Sequence, residues 1–210
     1  MVIAGAGGHG LEVLEVLLKN GFSKNDILFF DQDPKKNDQY ISGIRVVSDL
    51  SEVKQHFSFS NFFSLGVGNP TFRENLFNLL SQAGGILNAL LSDSSFLSHS
   101  ESGQFDAMPF SFIGPETEIG RGVLINTRAH VHHECKVGDF SDIAPGAILL
   151  GNSQAGKRCR IGAGAVLLPG IKIGDDVIVG AGAVVTKNFD SGSKIVGVPA
   201  KIVTENNASK

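Results

Sequence analysis

The stretch RIGAGAVLLPGIKIGDDVIVGAGAVV, residues 160–185, reads in sixes. Ile161, Leu167, Ile173, Val179 and Val185 stand six apart, and a glycine follows three of them. The same register runs backward through Ala155, Leu149, Ile143, Val137, Val131, Ile125, Ile119 and Ile113. Thirteen positions thus hold twelve aliphatic residues and one alanine, in a chain that is 42% hydrophobic, so chance does not produce the run. A lone strand repeats every two residues and a helix every 3.6. A strict six matches a short strand plus a corner, the hexapeptide signature of a parallel β-helix. With three sides per coil, each inward residue stacks on the one 18 residues later, and each coil needs neighbours to bury that stack. Residues 113–185 fill about four such coils.

The chain before this repeat has another texture. Val2 to Ala4 is a short apolar strand, and Leu11, Leu14, Leu17 and Leu18 have helical spacing up to Asn20-Gly21. Ile27 to Phe30 is a second strand, closed by Asp31-Gln32-Asp33-Pro34. Leu50 to His56 is a weaker helix, and Asn61 to Val67 a third strand. Thr71, with Glu74 three residues on, is the expected cap of a helix over Phe72 to Gln82. Strands alternating with helices imply a small parallel sheet. The expected organisation is an α/β, Rossmann-like domain over 1–90, a linker over 91–106, a β-helix over 107–203 and a tail over 204–210.

The 210 residues carry a net charge of −3 and no basic block, which removes a nucleic-acid footprint. No apolar run approaches the ~18 residues of a membrane span. The start, MVIAGAGGHG, lacks the features of a signal peptide, and Cys135 and Cys159 make no disulfide framework. A reducing cytoplasm is the expected location.

Two motifs carry chemistry. Gly5-Ala6-Gly7-Gly8-His9-Gly10 fits G-x-G-x-x-G between a strand and a helix, where backbone amides meet a diphosphate. Asp31 closes the next strand, the place of a ribose-binding acid. Read literally, this is NAD binding, but the domain ends after about three strands and no second half follows. The other motif is Val131-His132-His133-Glu134-Cys135. Val131 points inward, His130 and His132 flank it outward, and His133-Glu134 fall at the corner. Zinc does not suit this cluster, because adjacent strand residues alternate faces.

The repeat, the tail Gly197-Val198-Pro199-Ala200-Lys201 and the GAGGHG start together resemble the left-handed β-helix sugar acetyltransferases: the bacillosamine and perosamine N-acetyltransferases and the sialic acid O-acetyltransferases. The resemblance covers nearly all of residues 1–203. It implies a left-handed coil, a homotrimer with active sites between protomers, acetyl-CoA as co-substrate, no metal, and a nucleotide-sugar held by the first domain. On that reading Gly7, Gly8 and His9 meet the diphosphate or sugar, and Asp31, Gln32 and Gly68 the nucleoside. His133 takes the general-base position, Glu134 orients it, and the N–H of Gly151 donates to the oxyanion. Asp142, Ala163 and Ala181 fall at acetyl-CoA positions. Asp142 departs from the family, which often has histidine there in G-[DE]-x-x-H-[IV]; an ionised carboxylate accepts hydrogen bonds but donates none. N-acetylation of a nucleotide-linked 4-amino-sugar is the leading expectation. O-acetylation of a sialic-acid-like sugar, a non-catalytic trimeric binding protein and an NAD-binding regulator are the rivals.

Overall fold

The computed structural model describes residues 1–98, 101, 102 and 104–203. The chain divides into two compact units, Met1–Asp93 and Ser94–Lys210.

In the first unit, β1 (Val2–Ala4), β2 (Leu28–Phe30), β3 (Tyr40–Ile41), β4 (Ile44–Val47), β5 (Phe62–Leu65) and β6 (Ile86–Leu87) form one sheet in the order β3-β4-β2-β1-β5-β6. All neighbouring pairs are parallel except the β3-β4 hairpin. The expectation of about three strands was too low. Two-residue strands such as Tyr40–Ile41 and Ile86–Leu87 are too short to show an alternation. The helices are α1 (Gly8–Lys19), α2 (Leu50–Phe57) and α3 (Pro70–Gln82). Helix α3 starts before the expected Thr71 cap: Asn69 Oδ1 accepts from the Phe72 amide at 3.2 Å, and Pro70 takes the first turn, where no N–H is needed. Val2, Ala4, Phe30, Phe63, Leu65 and Leu80 lie in the buried core of this unit.

Sheet order reverses at β1, which has β2 on one side and β5 on the other. In parallel α/β sheets, ligands bind beyond the carboxyl ends of the strands at such a switch point. The loops there are Gly5–Gly7 after β1 and 66–69 after β5. They approach so closely that side chains are excluded: a Cβ on Gly66 would stand 2.7 Å from the Gly5 carbonyl, and one on Gly10 would strike the same oxygen.

In the second unit, short parallel strands stack into three faces. The first face runs Phe96–Leu97, Phe112–Ile113, His130–Val131, Ile148–Leu149, Val166–Leu167 and Val184–Val185. The second carries Glu118–Ile119, Lys136–Val137, Gln154–Ala155 and Lys172–Ile173, and the third Asp106–Ala107, Leu124–Ile125, Asp142–Ile143, Arg160–Ile161 and Ile178–Val179. From Asp106 to Val185 a strand residue pairs with the one 18 positions on, as in Val131 with Leu149; the first and last turns are shorter, and Phe96 pairs with Phe112, and Ile178 with Lys194, 16 apart. The coil starts before residue 107: within the stretch 91–106 expected as linker, Phe96–Leu97 pair with Phe112–Ile113, and Asp106 pairs with Leu124. That start is hidden in sequence because Leu97 and Ala107 precede the unbroken aliphatic register.

The corners repeat as strictly as the core. Residues 110, 116, 122 and every sixth position to 182 have φ between 51° and 72°. Prolines 109, 115, 145 and 169 precede four of these, as a type II turn favours. A second buried column of small residues, Ala129, Cys135, Ala147, Cys159 and Ala165, follows the corners.

Candidate active site

His133 and Glu134 form one of these corners, between the first and second faces. His133 Nδ1 lies 2.8 Å from Glu134 Oε2, with both side chains more than half exposed. An ionised carboxylate only accepts, so Nδ1 carries a proton, and in the neutral ring that leaves the lone pair on Nε2. Gly151 occupies the same corner one coil later, and the His133 ring lies across it: a Cβ at Gly151 would stand 2.5 Å from Nε2. Gly151 therefore gives the ring its space. No acceptor for the Gly151 N–H is found among the described residues, although its carbonyl accepts from Gly170 at 3.0 Å. Glu134 has φ 60°, but so do neighbouring corners such as Phe140 at 58°, so the strain belongs to the coil rather than to the site.

Val131 is fully buried, and His130 and His132 lie outward beside it. Phe96, Phe112 and these two histidines make a ring ladder on the first face; Phe96 stacks on Phe112 at 5.0 Å, and Phe112 lies 5.5 Å from His132. Partial burial, then the charges of His130 and His133, hold the His132 imidazole below its usual value. The two cysteines are buried free thiols. Burial pushes Cys159 up to about 11 and raises Cys135 as well. Among the described residues, no group of three or more His, Cys, Asp or Glu is placed to hold a metal ion.

Asp142 sits on the third face, opposite the His133 corner, so one chain does not bring the two together. It is buried, with Oδ2 3.8 Å from Arg160 Nε. Ala163 and Ala181 are exposed at the corner between the third and first faces, one coil apart. They are likewise separate from His133 within one chain.

In the first unit, a cavity of about 220 Å³ opens at the switch point, lined by Gly5, Asp31, Gln32, Val67 and Phe72 among others. Gly68 follows Val67 in the same loop. Cβ atoms on Gly7 or Gly8 would meet nothing within 4 Å, so packing does not require glycine there. Helix α1 has no side-chain cap and no acid in its first turn. Its first amides are left to solvent or an anion. His9 Nδ1 lies 2.9 Å from Glu12 Oε2. Asp31 Oδ2 accepts from the Ala6 amide at 2.9 Å and from Lys36 Nζ at 2.6 Å, and Oδ1 accepts from the Asp33 amide at 3.0 Å. Partial burial opposes ionisation of Asp31, but Lys36 and the two amides outweigh it and hold the carboxyl below its usual range.

Sequence reasoning missed Lys36 and Arg73. Arg73 is fully buried and donates to the Leu65 and Val67 carbonyls at 3.3 and 2.8 Å, fixing the loop after β5. Neither residue has a motif, since their partners are brought together only by the fold.

The chain is similar to known proteins over most of its length. The family described as PglD N-terminal domain matches residues 1–80, and bacterial transferase hexapeptide (six repeats) matches 156–187. The acetyltransferase domain of PglB from Neisseria gonorrhoeae, solved with acetyl coenzyme A, is 30% identical with a TM-score of 0.86, covering 96% of this chain and 98% of that one. A histidine variant of perosamine N-acetyltransferase from Caulobacter crescentus, solved with CoA and GDP-perosamine, is 30% identical with a TM-score of 0.90, covering 97% and 96%. GDP-perosamine N-acetyltransferase from Escherichia coli O157:H7 is 29% identical over 150 residues, 69% of this chain and 67% of that protein. The hexapeptide coil and these relatives define a hexapeptide-repeat acyltransferase that uses acetyl-CoA. Within that class the chain belongs to the sugar acetyltransferases that join a PglD-type N-terminal domain to the coil, the group of perosamine N-acetyltransferase.

Proposed function

We propose that this enzyme acetylates the amino group of a nucleotide-linked 4-amino-sugar by direct transfer from acetyl-CoA, with His133 as general base. The observation that carries the reading is the ring of His133, tied to Glu134 through Nδ1 and lying with Nε2 over Gly151. The sugar amine attacks the thioester carbonyl, and its proton passes to Nε2 as the C–N bond forms. Glu134 holds the imidazole in the required tautomer and offsets the imidazolium charge, as carboxylates do in related triads. The Gly151 N–H donates to the oxyanion. Collapse breaks the C–S bond, and the CoA sulfur takes the proton back from the imidazolium. No acyl-enzyme is formed, which agrees with two buried thiols of raised pKa.

The first unit holds the nucleotide, with Gly7, Gly8 and His9 at the diphosphate or sugar and Asp31, Gln32 and Gly68 at the nucleoside. Support comes from the open space at Gly7 and Gly8 and the cavity beside Asp31 and Gln32. The relatives solved with GDP-perosamine favour a nucleotide-linked amino-sugar over a sialic acid. Asp142, Ala163 and Ala181 serve acetyl-CoA from faces that lie apart from their own chain's His133, which suits a homotrimer with sites shared between protomers. Free thiols fit a reducing cytoplasm. The test is CoA thiol release from acetyl-CoA with UDP-, GDP- and dTDP-linked 4-amino-sugars and with sialic acid. Release with at least one amino-sugar nucleotide is expected. Release with sialic acid alone overturns the proposal.

A further inference from the structure

We propose that Lys36 is a nucleotide-binding residue that is handed from Asp31 to the substrate diphosphate when the nucleotide binds, freeing Asp31 for the ribose. The inference rests on the nucleotide reading above. Asp31 is the acid expected to take a ribose hydroxyl, yet in this structure its Oδ2 is already engaged by the Ala6 amide and by Lys36 Nζ. Of the two partners on that oxygen, the amide is fixed by the Gly5–Gly7 turn while the lysine is not, so the lysine is the one that can leave and make room.

Charge leads to the same exchange. A nucleoside diphosphate brings at least two negative charges to the turn before α1. The helix terminus offers the equivalent of about half a positive charge. Asp31 stands on the rim of the same cavity and would repel the ligand. Lys36 answers both problems. Its ammonium lies 3.3 Å from the Ala6 carbonyl, so it already rests on the turn that would hold the phosphates. An ammonium has three donors, and these two contacts leave one unspent. The side chain is one-third exposed on a long flexible stem, free to move toward an anion. Before the nucleotide binds, the ion pair holds the turn near neutrality, and binding replaces the carboxylate by phosphate as the lysine's partner. A nucleoside without phosphates must break the same pair and gives the ammonium nothing in return.

Calorimetry with UDP, GDP and dTDP, followed by the nucleoside of the tightest binder, tests this on wild type, Lys36→Met and Lys36→Arg. The diphosphate is expected to lose about ten- to a hundredfold in affinity in Lys36→Met, the range of one charge-assisted hydrogen bond. The nucleoside is expected to bind that variant as well as wild type or better, and Lys36→Arg to recover most of the diphosphate affinity. An equal loss for nucleoside and diphosphate, or no loss for either, overturns this proposal alone. No binding of any diphosphate to the wild type overturns the nucleotide reading as well.

Discussion

Gly151 is the sharpest residue-scale test, because it bears no side chain to contribute. Adding one methyl group places a Cβ 2.5 Å from His133 Nε2. The ring has to leave, so Gly151→Ala should reduce kcat by roughly the 10²–10⁴-fold expected for loss of a general base. CoA affinity and melting temperature should change little, because the corner backbone needs no positive φ at that position. A Gly151→Ala enzyme with normal kcat would contradict the ring's placement. The thiols give a second check. Cys159 is pushed up to about 11 by burial, and Cys135 is also raised. Both should resist a disulfide reagent in the folded protein at pH 8 and react promptly in denaturant. Fast native labelling of either would show that the small-residue column opens.

At the scale of elements, the coil is a stack of inward side chains with little redundancy. Leu149 is fully buried between Val131 and Leu167. Leu149→Ala should destabilise by about 2–5 kcal/mol, read from denaturant melts. Acid should also weaken the first face. His132 is held below about 6.5, its ordinary value, so the unfolded chain binds its proton more readily than the folded one. That stability is present above the unfolded pKa and is lost as pH falls through the window beneath it. His56, also lowered by burial, acts in the same direction. The melting temperature should drop between pH 7.5 and 5.5, and drop less in His132→Asn; equal drops would remove His132 from the account. The coil's strands were legible because one period governs thirteen consecutive positions. The strands Tyr40–Ile41 and Ile86–Leu87 were not, since two residues carry no period. Helix α3 was found but its cap was misplaced by two residues, because Asn69-Pro70 is as good a start signal as Thr71.

The whole molecule joins a mostly parallel α/β sheet of the PglD N-terminal type to an acyltransferase coil. Sequence motifs pointed to Gly7, Asp31 and the His133-Glu134 pair, because each stands where a periodic element ends. They could not show that the His133 ring lies over Gly151, 18 residues away, which required the coil's three-sided register. Lys36 and Arg73 were invisible for the same reason: carbonyls and a carboxylate from other segments define them. Exposed Phe96 and the ring ladder on the first face suit burial against another protomer, so the 22.2 kDa chain should sediment as a trimer. A monomer at assay concentration would contradict shared sites. The central claim is most directly tested by steady-state acetyl transfer from acetyl-CoA to a nucleotide-linked 4-amino-sugar, comparing wild type with His133→Ala at saturating substrates. The account predicts roughly a 10²–10⁴-fold loss in kcat with CoA binding retained; a near-normal rate would contradict it.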